Sequence, residues 1–163
     1  MKNMKKDLPP VFIGFWLGHL VTSALLLGWA MLGLSLYFMG SSDLWYDVAG
    51  FLLALLPPLM AGGLTRKFRP HVGKKALWTA SLCDAALLGA LWGINRSLEW
   101  ENFFLSLLLT DGTALAAWVP PLMERLGTFP YDARMLARDV VGLFLPSLVF
   151  TLGCLLARRP EED

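Results

Sequence analysis

The stretch 76-ALWTASLCDAALLGALWGI-94 decides how this chain folds. It runs for 19 residues and carries a single charge, Asp84, near its middle. At a rise of about 1.5 Å per residue, a helix of that length matches a hydrocarbon core of roughly 30 Å, so the stretch reads as a membrane span. Ser81, Ala85, Gly89 and Gly93 recur every fourth residue and draw one stripe along it where a neighbouring backbone can come close. Asp84 flanks that stripe, about 100° around the helix from Ala85. Lipid cannot solvate a carboxylate, so Asp84 is expected to face protein or water.

The rest of the chain has the same character. Of its 163 residues 56% are hydrophobic and 17% charged, and the mean hydropathy is +0.55; a soluble domain carries about 25% charge. A single integral membrane domain over 1–163 is expected, with the lipid bilayer as its first partner. A net charge of +1 excludes nucleic acid as a partner, because phosphate binding needs a concentrated basic face. Cys83 and Cys154 both fall inside apolar segments, where a thiol behaves as a small apolar residue, and no disulfide is inferred.

The expected fold is all-α, a polytopic transmembrane helical bundle of five spans at about 11–39, 45–64, 76–94, 103–123 and 140–157. The uncharged run 11–39 is 29 residues long, well beyond the apolar core of a signal peptide, and Pro9 with Pro10 suits a helix start. Between the second and third spans, 65–75 holds Arg66, Lys67, Arg69, Lys74 and Lys75 without one acid. By the positive-inside bias this loop and the N-terminus are cytoplasmic, most naturally at the plasma membrane. The segment 103–123 is ambiguous. As a full span it places eleven basic residues inside against three outside; as a re-entrant or interfacial segment it leaves four spans and ten against four. Its length of 21 residues favours five spans, although Arg158 and Arg159 then end on the unfavoured side.

Prolines punctuate two of these helices. Residues 56–60 read LPPLM and 119–123 read VPPLM, and a second set of matches, including Trp16 with Trp78 and Leu20 with Leu82, has nearly the same offset. That echo suggests an internal parallel repeat, spans one and two against spans three and four. Pro57, Pro58, Pro120 and Pro121 each remove a helix hydrogen bond, so a break or hinge is expected at both pairs.

His19, Asp84 and Asp111 are the titratable residues deep within apolar segments. Counted from the expected cytoplasmic ends at about 1.5 Å per residue, they lie at depths of roughly 13, 13 and 18 Å, near one layer. An imidazole and two carboxylates at similar depth can relay protons, bind a cation or hold an ammonium group; the structural alternative is that each fixes helix register. No catalytic, cofactor-binding or metal-ligating set is expected. There is no CxxC, P-loop, GxGxxG or GxSxG.

Two function classes follow. The leading expectation is a non-catalytic accessory or packing subunit of a membrane complex, or a homo-oligomer, resting on the small-residue seams Gly14–Gly18 and Ser81–Ala85–Gly89–Gly93. The alternative is a proton- or cation-linked small-solute transporter built on His19, Asp84 and Asp111.

Overall fold

A computed structural model describes residues 4–38, 44–98 and 102–157. The turn at 40–43, loop positions 99–101 and the tail from 158 lie outside the described residues. Six helices make up the described chain: α1 (Met4–Phe38), α2 (Leu44–Phe68), α3 (Lys74–Ser97), α4 (Phe103–Leu115), α5 (Val119–Leu126) and α6 (Tyr131–Leu156). Four of them, α1, α2, α3 and α6, are long and apolar enough to cross a membrane, and α4 with α5 forms a bent pair. The molecule is an all-helical bundle of membrane-spanning helices.

Side chains that meet fix the direction of each helix. Ser81 bonds Thr151 while Trp92 bonds Asp139, so α3 and α6 are antiparallel. On α2, Leu59 abuts Gly153 and Gly63 lies beside Ala157, so α2 and α6 run the same way. Gly14 abuts Thr65 and Gly50 abuts Trp29, which makes α1 and α2 antiparallel. Asn95 near the end of α3 bonds Ser106 near the start of α4 at 3.1 Å, and further along Gly112 meets Gly142, so α4 runs with α6.

These directions frame the path of 103–126. α4 and α6 both start at the end of the bundle opposite the basic loop. Between them Glu124 of α5 pairs with Arg134, in the first turns of α6, at 3.3 Å. α5, of 8 residues, leaves α4, of 13 residues, at a bend of 51°, and its far end lies beside the start of α6. The described bundle has four spans, or five where this bent pair counts as one. The stretch 103–123 is therefore not one straight helix.

The bend shows why α4 stops. Ala117 and Val119 donate to carbonyls only three residues back, at 3.3 and 3.0 Å, which tightens the turn. Pro120 and Pro121 then occupy the first positions of α5, where a missing N–H costs nothing. This pair begins α5. The pair Pro57–Pro58 behaves differently, since α2 passes through it without interruption and no break is found there.

Two boundaries also move. α6 begins at Tyr131, so Arg134, Arg138 and Asp139 belong to the last helix and not to a loop before residue 140. α1 begins at Met4, ahead of Pro9 and Pro10.

The glycine contacts show where backbones touch. A Cβ on Gly62 would collide with the Phe150 carbonyl, one on Gly153 with Leu59, and one on Gly112 with Gly142. The Cys154 thiol reaches the Gly62 carbonyl at 3.1 Å along the same α2–α6 seam. The expected seams are consumed inside the molecule as well. Gly14 and Gly18 hold α1 against Thr65 and Ala61, and Ser81 bonds Thr151 on α6 at 2.6 Å. The stripe's far end is open, with nothing within 4 Å of a Cβ at Gly93.

Candidate functional site

His19 is brought to its place by α1, whose lipid side is marked by exposed Ile13, Leu17 and Leu20 and whose inner side carries buried Val11, Phe15, His19 and Leu26. That spacing follows the helical period, so His19 is directed inward by the same pattern that buries Phe15. Its ring stacks on Phe15, with centroids 5.7 Å apart, and meets Trp16 edge-on at 5.2 Å.

Asp111 arrives on α4. Asn102 starts that helix by accepting the Leu105 N–H on its side-chain oxygen at 3.3 Å, an N-cap contact. Two turns on, Gly112 docks on Gly142 so closely that no side chain intervenes. This contact sets the depth of Asp111. Its Oδ2 lies 2.5 Å from His19 Nδ1, and the two side chains are 1% and 0% exposed, so the contact is sealed from lipid and bulk water. One proton sits between them, either as imidazole N–H donating to a carboxylate or as a carboxylic acid donating to the ring. The second oxygen, Oδ1, accepts the Gly112 N–H at 2.6 Å.

Asp84, on α3, completes the group. It is buried, next to the Trp16 indole and within electrostatic reach of His19. Trp16 Nε1, Asp84 Oδ1, His19 Nε2 and Ser23 Oγ are buried without a hydrogen-bond partner. Buried polar atoms of this kind are rare in folded proteins and cost about 1 to 3 kcal/mol each. Here they surround one ionisable pair. The structure thus brings His19, Asp84 and Asp111 into one neighbourhood, with the closest contact between His19 and Asp111.

The group is closed on one side and approached on the other. Toward the basic loop, Val11, Phe15, Val72, Ala76, Leu77 and Phe150 form a continuous apolar cluster. Toward the opposite end, a cavity of about 10 Å³ lies between Asp111 and Asp139 and is also lined by Trp92 and Thr113. Beyond it opens a pocket of about 200 Å³ bordered by Asn95, Arg96, Ser106 and Arg138, again with Asp139. Asp139 is held by Arg138 Nη2 at 2.8 Å and by the Trp92 indole at 3.5 Å.

Asp139 is the residue the sequence reading missed. Two local signals mark the earlier start of α6: Pro130 immediately before it and Asp132 in its first turn. Neither Pro57–Pro58 nor Pro120–Pro121 contributes a polar group to the site. Among the described residues no cluster of three or more His, Cys, Asp or Glu side chains is arranged to hold a metal ion.

No known protein family, curated protein or solved structure matches this chain.

Proposed function

We propose that this membrane protein is a proton-linked carrier of a small solute, with His19 and Asp111 as the coupling pair and Asp84 as the charge that balances it. The carrying observation is the fully buried 2.5 Å contact between an imidazole and a carboxylate from two different helices. A bundle that needed only cohesion gains little from such a pair, because well-packed apolar residues of similar volume are commonly as stable or more so. In a membrane, ionisable side chains facing the bundle interior mark proton or ion pathways. The end of α4 adds support. A helix ending part-way through the bundle leaves its last carbonyls and the negative end of its dipole near the site, an arrangement that suits a cation or a proton in transit.

The alternative, a packing subunit, drew on the small-residue seams, and α2 and α6 occupy much of those. By the positive-inside bias we assign the basic-loop end to the cytoplasm, which puts the start of α4 on the outer side. Four spans and a bent pair make a thin wall around a transport path, so we infer that the working unit is a dimer.

The test uses vesicles with the protein reconstituted and a pH dye inside, under an imposed membrane potential. Amino acids, amines, sugars, Na⁺ and K⁺ are supplied one at a time. At least one is expected to move protons above the protein-free background, and Asp111→Asn should return that movement to background while the protein remains folded. Indistinguishable traces from wild type and Asp111→Asn across the whole panel would discard proton-linked transport.

A further inference from the structure

The two cavities beyond Asp111 lead to one group. We propose that Asp139 is the outer proton-exchange residue, passing protons through a single water in the cavity it shares with Asp111 to the His19–Asp111 pair. This rests on the proton-linked reading of that pair, and it adds the route by which the pair is reached.

Geometry supports each link. The cavity between Asp111 and Asp139 has a volume of about 10 Å³, at the threshold of roughly 10 to 15 Å³ that one water needs. Asp111, Asp139 and Thr113 are among the residues that line it, with leucines making up much of the rest of its wall. On its outer side Asp139 also lines the larger pocket of about 200 Å³, so a single side chain borders both the wider pocket and the narrow cavity. Charged groups reach the route from several elements: Arg96 of α3, Asp111 of α4, and Arg138 with Asp139 of α6 line it, while His19 of α1 and Asp84 of α3 stand behind Asp111. Arg138, bonded to Asp139 Oδ1 at 2.8 and 3.1 Å, leaves the other oxygen to the longer Trp92 contact.

The relay balances. Protonated Asp139 gives its proton to the water, and the water releases another to the Asp111 carboxylate, which still accepts the His19 Nδ1–H. The pair thereby gains one proton, and Asp139 and the water end as they began before the proton arrived. On the opposite side the apolar cluster around Phe15 and Phe150 offers no comparable lining, so protons reach the pair from the outer end in this conformation.

A pH jump on the protein in lipid nanodiscs tests this without any solute. Time-resolved infrared absorption follows the carboxylic-acid band of Asp111, identified by its loss in Asp111→Asn. Asp139→Asn should slow the change in that band by about 10²-fold, the lower end of what a positioned proton-transfer side chain contributes, at unchanged final amplitude. Asp139→Glu should restore most of the rate. A rate in Asp139→Asn equal to that of wild type would overturn the route, as would the absence of any Asp111 band change in wild type. Solute flux is scored separately: a slowed band without flux in any vesicle assay removes the transport function and keeps the route, whereas flux that needs Asp111 with an unslowed band does the reverse.

Discussion

Residues 56–60 and 119–123 spell nearly the same word, LPPLM and VPPLM, and the molecule uses them in opposite ways. In α2 the proline pair sits inside an uninterrupted helix of 25 residues. At 120–121 it opens a new helix, bent by 51° from the one before. Preceding residues do not separate the two. Upstream of Pro57 stand Leu52, Leu53, Ala54, Leu55 and Leu56, with a buried Ala54 against α1 and α4 neighbours. Upstream of Pro120 stand Leu115, Ala116, Ala117, Trp118 and Val119, also mostly good helix formers. Tertiary contacts make the choice, because the His19–Asp111 and Gly112–Gly142 contacts hold α4 in place. A proline pair thus permits a bend, and its surroundings decide whether one happens.

The largest effect that can break this contrast is topological. Cysteines placed at Ser97 and Thr128, in a background freed of Cys83 and Cys154, should react with a membrane-impermeant thiol reagent from the same face, and one at Gly73 from the other. Labelling of Thr128→Cys together with Gly73→Cys would make the bent pair a fifth span.

Next in size is the docking of α4. Gly112→Ala introduces a Cβ against the Gly142 backbone and should lower the stability of the folded protein by about 1 to 3 kcal/mol, read from thermal unfolding in detergent. Gly28→Ala is the control. A Cβ there has open space around it, so the change should be neutral or stabilising by up to about 1 kcal/mol.

The proline pairs themselves give a smaller, signed comparison. Pro57→Ala restores a helix-interior amide and should stabilise α2, by at most about 3 kcal/mol less whatever packing is lost. Pro121→Ala, exposed and in the first turn of α5, should change stability by less than about 0.5 kcal/mol. Equal effects at the two sites would mean that the two prolines are alike after all. Smallest of all is the tie between α5 and α6. Glu124→Gln removes the pair with Arg134, in which the Glu124 side chain is 72% exposed, and should cost no more than about 1 kcal/mol in the same unfolding measurement.

Much of the architecture is legible in single residues. Asp84 in a 19-residue apolar stretch declares a span with something to shelter, and the five bases of 65–75 declare a loop outside the lipid. His19, Asp84 and Asp111 stand out because charge in an apolar run is costly wherever it points, so their presence is informative before any fold is known. Asp139 does not stand out. It follows Arg138 in what reads as polar loop sequence, and only the early start of α6 carries it alongside Trp92. The seams are incomplete for a related reason: a stripe of small residues announces close approach without saying to whom, and here Gly14 and Gly18 meet α2 and Ser81 meets α6 of the same chain.

The sequence by itself determined that the chain is helical, apolar and spanning, because backbone hydrogen bonding in lipid and the length of each uncharged run depend on composition alone. Only the tertiary structure decided that 103–126 bends at 116–118, that His19 bonds Asp111, and that Asp139 lines the cavity beside Asp111. Each of these depends on which helix lies beside which, and periodicity within one helix says which face is buried without naming the partner that buries it.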